Sequence, residues 1–589
     1  MILPDVPVLR SGWRDEAWDR LAGPWDVLVV GGGISGAGIA RRAARAGLRV
    51  LLVEQRDLAW GTSSRSSKLV HGGLRYLREG QIGVVRDSVR ERERLLLAAP
   101  GLVDELGFLM PTYRGTSPGR WTYTAGLEMY DVLAGRRTHR RLRRSELELL
   151  APRLRSAGLT GGFGYADAQT DDARLTFRVA LDAVAAGATI LTYATAEDVL
   201  RGAGGMVIGA RIRDALDPGR AVDVRATATV SATGAWADRL RGKVGAAPRI
   251  RPLRGSHLVF PAWRFPVAQA VSVSHPADGR PVFAFPWEGV TLVGTTDVDH
   301  DGDLDVEPRI SPGEAAYLAD AMAAAFPALD LRPEDAIASF AGVRPVIGTG
   351  RADPSKESRD HAAWDEHGLL TLTGGKLTTF DVLAREALRA LRPRFAGCAT
   401  VGDPAADLPV DPVQEPRVGD LGPGARELPA DDLRRLAGRH GRATSLLLAT
   451  AEERGAFDDF ARIPGTTSAW AEVRWAARAE GVMHLEDLLL RRVRLGLTLP
   501  GGGAAVLGRV RAIAQPELGW SDVRWDAEEA AYRALWASDF ATPGRADAGS
   551  GPPPGRAVAG GDPHSAGPDA GGDPAKAGID AGLPAMTVR

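Results

Sequence analysis

A group of three glycines between two apolar runs constrains the fold of this chain more than any other feature. Residues 26–54 read DVLVVGGGISGAGIARRAARAGLRVLLVE, with the glycines at Gly31, Gly33 and Gly36. Small residues at helical spacing follow them and lead into a second apolar run, which ends on Glu54. A strand, a tight glycine turn, a helix and a second strand in this order form a βαβ dinucleotide-binding unit.

Each residue of this motif has a physical task when a dinucleotide binds. Gly31 permits the tight turn. Gly33 lets the backbone approach a pyrophosphate at the helix N-terminus, where free N–H groups and the helix dipole favour an anion. Gly36 allows the helix to pack closely on the strand, and Glu54 can accept hydrogen bonds from both ribose hydroxyls. The motif therefore predicts FAD or NAD as the cofactor and leaves the choice between them open.

Composition excludes several classes of protein. The chain has 589 residues, enough for two to four domains, and its net charge of −1 does not suggest a nucleic-acid-binding protein. One cysteine, Cys398, cannot form a disulfide framework, ligate an iron–sulfur cluster or build a cysteine-rich zinc site, and we predict no metal site. The N-terminal residues lack the apolar core of a signal peptide, and no apolar run reaches the ~18 residues of a transmembrane helix.

Changes of pattern along the chain predict its division into domains. We expect an α/β fold with a Rossmann-type nucleotide-binding domain, an antiparallel-sheet substrate domain, a helical C-terminal domain and a disordered tail. The predicted segments are 1–24 for an N-terminal extension; 25–100, 160–235 and 340–392 for the nucleotide-binding domain; 101–159 and 236–339 for a substrate-binding cap; 410–540 for the helical domain; and 541–589 for the tail. The tail is rich in glycine, proline and alanine, so it cannot bury enough surface to fold.

The segment that follows the βαβ unit is rich in hydroxyl groups and glycines. Residues 62–76 read TSSRSSKLVHGGLRY. Because this segment directly follows the unit, we expect it to run along the bound cofactor, where hydroxyls and backbone N–H groups suit phosphate and ribitol groups. The candidate residues are Ser63, Ser64, Lys68 and His71 for the cofactor, and Arg75 and Tyr76 for a substrate.

Two later motifs supply further candidates. The sequence Ser-Ala-Thr-Gly234 ends a predicted strand and is typical of a second cofactor contact in two-domain flavoproteins. The sequence Gly-Gly375-Lys376 precedes a helix-like segment and forms another anion-tolerant N-terminus. Arg344 offers a bidentate fork to a phosphate or carboxylate. Lys376 could bind the same anion or lower the pKa of a substrate hydroxyl, and the rarity of lysine in this arginine-rich chain indicates a task for a compact ammonium.

The predicted substrate-side sheet carries His257 and Asp297. His257 could take a proton from a hydroxyl, because its unperturbed pKa is near ~6.5, and a structural histidine in the core is the alternative. A basic cluster at residues 136–144, RRTHRRLRR, favours contact with anionic lipid headgroups, worth roughly 1 kcal/mol per cation. A solvated loop is the alternative for this cluster.

Together these motifs resemble the FAD-dependent glycerol-3-phosphate dehydrogenase family, which is similar in fold to the D-amino-acid oxidase type of flavoprotein. The resemblance rests on GGGISGAGIA, TSSRSSKLVHGGLRYL, MYDVLAG, DDARL, RGSHLVF, GTTDVD, GVRP and GGKLTTF, and HLEDLLLRRVRLGL extends it to about residue 540. It implies FAD as the cofactor and oxidation of sn-glycerol 3-phosphate to dihydroxyacetone phosphate. It also implies hydride transfer from the substrate C2 to flavin N5, with the electrons passed to a membrane quinone.

The resemblance also implies roles for individual residues. The positions that match the substrate phosphate and hydroxyl contacts are Arg75, Tyr76, Arg344 and Lys376. The FAD-contact positions are Gly31, Gly33, Gly36, Glu54, Ser63, Ser64, Lys68, His71 and Gly375, to which the strand-ending motif adds Gly234. The proton acceptor is left open among His257, Lys376 and the neighbourhood of Arg344.

Other functions remain open at this point. A glycerol-3-phosphate oxidase would use the same motifs but pass electrons to O2. An amine or 2-hydroxy-acid oxidase on this fold is a further alternative, although several cations grouped for one dianion argue against it, as they do against a flavoprotein without turnover. An anaerobic relative with an added iron–sulfur domain is ruled out by the single cysteine. We expect a cytoplasmic protein peripherally associated with the inner face of the cell membrane, with a homodimer as a candidate assembly.

Overall fold

The computed structural model describes most of the chain. The described residues are 8–78, 80–115, 120–348, 361–395, 408–413, 421–453 and 457–543. Within these ranges the side chains of Arg75, Arg78, Arg120, Glu453 and Phe457 are outside the description. The predicted disordered tail, apart from residues 541–543, lies outside the described residues.

Helices and strands alternate in the first half of the chain and helices dominate its end. The helices are α1 (Trp13–Asp19), α2 (Ile34–Arg45), α3 (Leu74–Arg78), α4 (Ile82–Ala98), α5 (Arg120–Ala134), α6 (Arg144–Leu150), α7 (Asp172–Ala185), α8 (Ala237–Lys243), α9 (Pro312–Ala325), α10 (Phe380–Leu391), α11 (Ala430–His440), α12 (Thr444–Glu453), α13 (Trp470–Ala479), α14 (Leu495–Thr498), α15 (Leu507–Leu518) and α16 (Asp522–Asp539). The strands are β1 (Trp25–Val30), β2 (Val50–Val53), β3 (Leu69–Val70), β4 (Val103–Tyr113), β5 (Arg140–Leu142), β6 (Leu159–Thr170), β7 (Thr189–Leu191), β8 (Ala194–Arg201), β9 (Val207–Asp214), β10 (Ala221–Ser231), β11 (Ile250–Pro261), β12 (Ala270–Ser274), β13 (Pro281–Trp287), β14 (Val290–Gly294), β15 (Val298–Asp299), β16 (Ala338–Ile347), β17 (His361–Glu366) and β18 (Leu369–Gly374).

One sheet carries the glycine motif. Among the described residues it has eight strands, in the order β17-β18-β10-β1-β2-β7, with β9 bonded to β10 and β8 to β9. Strand β1 pairs in parallel with β2 and β10, and β10 pairs in parallel with β18. Residues 27–30 of β1 and all of β2 are apolar because both faces are covered, with α2, α7 and α10 on one side. The predicted Rossmann-type sheet is confirmed.

The second sheet is largely antiparallel. Across the described ranges it has ten strands, in the order β15-β11-β14-β13-β12-β4-β6-β3, with β16 bonded to β11 and β5 to β6. Helix α9 packs on it and begins with a capping box, in which Ser311 Oγ accepts from Glu314 N at 3.2 Å and Glu314 Oε2 accepts from Ser311 N at 3.0 Å. The antiparallel sheet and its capped helix agree with the predicted fold class.

Two strands pair differently from the predicted segments. The predicted bounds place most of β6 and β16 in the nucleotide-binding domain, whereas β6 pairs with β4 and β16 pairs with β11 in the second sheet. A strand's own residues do not determine which sheet it joins, because its partners are set by tertiary packing. The division into domains stays a prediction.

The C-terminal helices contact both main parts of the molecule. Apolar residues of α13–α16 share a core with the second sheet, in which Trp470, Leu488 and Trp525 lie with Phe285 and Trp287, and α11 contacts α7. A π-helical turn at Asp487–Arg492 brings arginines to the nucleotide-binding sheet. No helix in the described part of the chain has both the length and the hydropathy needed to cross a membrane.

Candidate active site

A cavity of about 540 Å³ lies where four neighbouring parallel strands end. Its walls include residues that follow β1, β2, β10 and β18 in the chain, such as Gly31, Glu54, Thr233 and Gly375. The carboxyl edge of a parallel sheet is the usual nucleotide site of α/β proteins, and the volume suits a cofactor. The predicted cofactor residues that line the cavity are Gly31, Gly33, Glu54, Ser63, Gly234 and Gly375.

Two glycines of the motif are required by close backbone packing. Gly31 has φ +112°, and a Cβ there would lie 2.6 Å from the carbonyl oxygen of Ala232. Gly36 does not line the cavity, but a Cβ at this position would collide with the carbonyl oxygen of Gly31. Helix α2 can therefore approach the end of β1 only because Gly36 lacks a side chain, and Gly31 leaves room for the backbone of Ala232, which follows β10.

Glu54 is held in place by the backbone around it. Its Oε2 accepts from the N–H of Gly32 at 2.6 Å and its Oε1 from the N–H of Arg56 at 2.9 Å. Burial raises the pKa of Glu54, and the two backbone N–H groups oppose that rise. The carboxylate is thus oriented at the cavity wall, where it can accept from the hydroxyls of a ribose.

The N-terminus of helix α2 faces the cavity. Gly33, Ile34 and Ser35 line it, and the N–H of Ile34 donates to Ser63 Oγ at 3.0 Å. Helix α2 has no acidic residue in its first turn, so nothing there repels an anion. First-turn N–H groups, a ribose-binding carboxylate and a cavity of this size fit a dinucleotide such as FAD.

The hydroxyl-rich segment divides between the cavity and the protein interior. Ser63 and Ser66 line the cavity, whereas the predicted cofactor residues Ser64, Lys68 and His71 are not part of its wall. Lys68 is fully buried, and its Nζ donates to Ser64 O at 2.6 Å and to Asp172 Oδ2 at 2.9 Å. Lys68 therefore holds the segment in place from its buried side and does not face the cavity.

The Asp172 carboxylate accepts hydrogen bonds from several groups of this segment. Its Oδ2 accepts from the N–H of Ser66 at 2.9 Å and from Ser66 Oγ at 2.7 Å, in addition to Lys68. Arg494, from the C-terminal region, donates to Asp172 Oδ1 and, at 3.1 Å, to Ser64 O. Burial, against the attraction of Asp172, lowers the pKa of Lys68 to about 7.

Lys376 is the cation that lines the cavity beside the predicted substrate residues. Its Nζ donates to Ser88 Oγ at 3.0 Å and to Gly72 O at 3.4 Å, and it lies 4.0 Å from the centre of the Tyr76 ring. The structure therefore brings Lys376 and Tyr76 together as predicted for one site. The backbone of Arg75 belongs to the same short helix, α3, while its side chain lies outside the description.

Arg344 lies on β16 next to Pro345, which lines the cavity. Its Nη1 donates to Asp297 Oδ1 at 3.0 Å and its Nη2 to Thr295 Oγ1 at 3.1 Å. A Cβ on Gly255 would lie 2.5 Å from Arg344 Nη2, so glycine at that position leaves room for the guanidinium. Asp297, which the sequence placed in the same sheet, is thus the residue that orients this fork.

His257 is buried on β11, opposite Gly294. It is fully enclosed and does not line the cavity; its Nε2 is 2.9 Å from Ser67 Oγ, and its ring stacks on Phe340 at 4.6 Å. Burial, with the positive charges of Lys68 and Arg344, holds the pKa of His257 well below its usual range. The imidazole is therefore neutral at pH 7.

Several cavity residues were not singled out from the sequence. They are Gln55, Trp60, Gly61, Thr62, Ser66, Trp236, Arg239 and Lys243, with strand residues 194–197. Trp236 lies two residues after the ATG motif (residues 232–234), and Lys243 is one of the rare lysines, so these two carried a usable signal. Residues 194–197 belong to β8, whose place beside the cavity depends on the pairing of sheet strands far apart in the chain.

Family models match nearly the whole described chain. The model described as FAD dependent oxidoreductase matches residues 26–380, more than half of the chain. A second model, the C-terminal domain of alpha-glycerophosphate oxidase, matches residues 372–525. The match confirms the prediction of FAD as the cofactor.

Individual relatives point the same way. The aerobic glycerol-3-phosphate dehydrogenase of Staphylococcus epidermidis is 36% identical over 488 residues, covering 80% of this chain and 86% of the relative. The structure of the Bacillus halodurans glycerol-3-phosphate dehydrogenase complexed with FAD has a TM-score of 0.69 and 27% identity, covering 90% of this chain and 97% of that one. The L-alpha-glycerophosphate oxidase of Mycoplasma pneumoniae shares the fold at a TM-score of 0.52 and 21% identity, over 63% of this chain and 95% of that one. The chain belongs to the FAD-dependent oxidoreductase family and, within it, to the aerobic glycerol-3-phosphate dehydrogenases.

Proposed function

We propose that this protein oxidises sn-glycerol 3-phosphate to dihydroxyacetone phosphate and passes the electrons to a quinone. The names of its relatives support the substrate. The observation that carries the proposal is the position of two predicted substrate cations: Lys376 lines the cavity, and Arg344 lies on β16 next to the lining residue Pro345. A phosphate dianion is the ligand that suits an ammonium and a guanidinium fork together.

In this proposal the residues have separate roles in substrate binding and proton transfer. Bound FAD supplies a two-electron acceptor for the hydride that leaves the substrate C2. Arg344, oriented by Asp297, and Lys376, oriented by Ser88 and the Gly72 carbonyl, hold the phosphate and hydroxyl together with Arg75 and Tyr76. His257 is a neutral imidazole, but it is enclosed and does not line the cavity, so it can accept the hydroxyl proton only through a relay such as Ser67 Oγ, which lies 2.9 Å from its Nε2.

The cofactor contacts are part of the same proposal. The residues that line the cavity and are assigned to FAD are Gly31, Gly33, Glu54, Ser63, Gly234 and Gly375. Gly36, Ser64 and Lys68 support them from the interior, and His71 is tied to Thr378 through its backbone N–H at 3.2 Å. Gly36, Ser64, Lys68 and His71 therefore contribute to the shape of the site.

A membrane quinone as acceptor requires contact with a membrane, and the surface around helix α5 suits one. Trp121 and Val132 of this helix are 76% and 78% exposed. Arg137, Arg140 and Arg144 follow and form exposed ion pairs, which are worth little and leave the arginines available to anionic headgroups. We infer peripheral binding of this surface at the inner face of the cell membrane; a homodimer is a compatible assembly.

The substrate and acceptor are tested by flavin absorbance without oxygen. We expect sn-glycerol 3-phosphate to bleach the oxidised-flavin band near ~450 nm, and glycerol at the same concentration to leave it unchanged, because only the phosphate engages both cations. A soluble quinone analogue should then restore the band much faster than air does. No bleaching of FAD-containing protein would contradict the substrate, and faster recovery in air would identify a glycerol-3-phosphate oxidase.

The phosphate role of Arg344 is tested by Arg344→Ala. Loss of one charged anchor should cost about 2–4 kcal/mol in kcat/KM, roughly a 30- to 900-fold decrease. The matched control is Arg251→Ala on the neighbouring strand, whose guanidinium is bonded to Asp299 at 2.6 Å and does not line the cavity. Steady-state kinetics with a soluble acceptor measure both, and an unchanged kcat/KM in Arg344→Ala would remove this residue from the site.

Membrane binding is tested with vesicles that contain anionic lipid. Replacement of Arg137, Arg140 and Arg144 by Gln should reduce the binding free energy for the vesicles, measured by co-sedimentation, by roughly 1 kcal/mol per arginine. Flavin reduction by substrate in solution should not change, since these residues are remote from the cavity wall. A control with the same charge loss replaces Arg201, Arg211 and Arg225, which are exposed on another sheet. Equal vesicle binding of the two triple variants would contradict the assigned surface.

A further inference from the structure

A loop that follows the second sheet does not itself line the cofactor cavity but binds side chains of the cavity wall. We call residues 301–309 the Asp305 strap. The indole Nε1 of Trp236 donates to Asp305 Oδ1 at 3.2 Å, and Arg239 Nη1 donates to the same carboxylate at 2.8 Å. Trp236 and Arg239 both line the cavity. One carboxylate of the strap therefore holds two wall residues from the outside.

The strap reaches a third wall residue through Arg56. Arg56 Nη2 donates to the Asp305 carbonyl oxygen at 2.7 Å, and its guanidinium lies 4.1 Å from the centre of the Trp60 ring. Trp60 also lines the cavity, and its ring centre is 5.9 Å from that of Trp236. The strap, two indole rings and two guanidinium groups thus form one connected set of contacts at this part of the cavity wall.

The two ends of this layer differ in strength. Arg65 Nε donates to Glu307 Oε1 at 2.7 Å, and these side chains are only 4% and 6% exposed. The Arg239 and Asp305 side chains are both 48% exposed. A buried, hydrogen-bonded ion pair persists in salt, whereas an exposed pair is weak and screened. Glu307 therefore anchors the strap, and Asp305 is the contact that can open.

We propose that the Asp305 strap retains FAD, with Asp305 as the positioning residue that keeps Trp236, Arg239 and Arg56 over the bound cofactor. Release of FAD past this wall requires the Asp305 contacts to break first. The proposal rests on the FAD cofactor of the family and not on the substrate or the acceptor. Its test therefore stands even if the proposed reaction is wrong.

The test measures how fast FAD leaves the holoprotein, from the rise in flavin fluorescence after dilution. Asp305→Asn keeps the shape of the side chain but removes its charge, so FAD should leave about two- to fivefold faster at low salt, the range expected of an exposed ion pair. In the wild-type protein 0.5 M KCl should accelerate release, since about 1 M salt shortens the screening length to ~3 Å. In Asp305→Asn the salt effect should shrink to what the exposed Arg239–Asp303 pair, with 3.7 Å between Nη2 and Oδ1, retains.

Asp301→Asn is the matched control, because Asp301 is an exposed acid of the same strap that forms no hydrogen bond or ion pair among the described residues. It should release FAD at the wild-type rate. Arg56→Gln, which does not alter a cavity-lining residue, should also accelerate release and provides the test if Asp305→Asn does not fold. The melting temperature of the apoprotein should be unchanged in the informative variants. Wild-type release rates and salt dependence in both Asp305→Asn and Arg56→Gln would overturn the proposal.

Discussion

The buried carboxylate of Asp172 is the contact on which the hydroxyl-rich segment 62–76 beside the cavity depends. It accepts hydrogen bonds from the backbone and hydroxyl of Ser66, from Lys68 Nζ and from Arg494. A carboxylate without exposure to water is stable only when its partners satisfy it, because desolvation costs several kcal/mol. The segment that follows the βαβ unit is therefore folded around this group, and Ser63 and Ser66 are presented to the cavity as a result.

This carboxylate belongs to a buried charge network that joins the C-terminal helices to the nucleotide-binding sheet. Asp171 accepts from Arg439 at 2.9 Å, Asp57 accepts from Arg492 at 2.7 Å, and Glu480 accepts from Arg174 at 2.6 Å. Loss of one partner of such a pair costs about 3–5 kcal/mol, since the other charge is left buried. The C-terminal region is thus a part of the flavin-site architecture, and the π-helical turn Asp487–Arg492 supplies two of its arginines.

Local patterns predicted the parts of the site that depend on local geometry. Gly31, Gly33 and Glu54 line the cavity, and their positions follow from the local geometry of one strand, turn and helix. Lys68 and Ser64, predicted as cofactor contacts, do not line the cavity: Lys68 is bonded to Asp172, 104 residues further along, and the Ser64 carbonyl accepts from Lys68 and Arg494. The same limit applies to Trp60 and residues 194–197, whose approach to the cavity arises from tertiary packing.

The claim that the C-terminal region completes the flavin site is tested most directly by the FAD affinity of Arg494→Met. Arg494 does not line the cavity, yet it donates to Ser64 O at 3.1 Å and to both Asp171 and Asp172. Titration of the folded apoprotein with FAD, followed by flavin fluorescence, should show binding weakened about tenfold or more. Arg478→Met, which breaks an ion pair within the C-terminal region itself, should bind FAD as the wild type does. Equal, wild-type affinity in both variants would contradict the account.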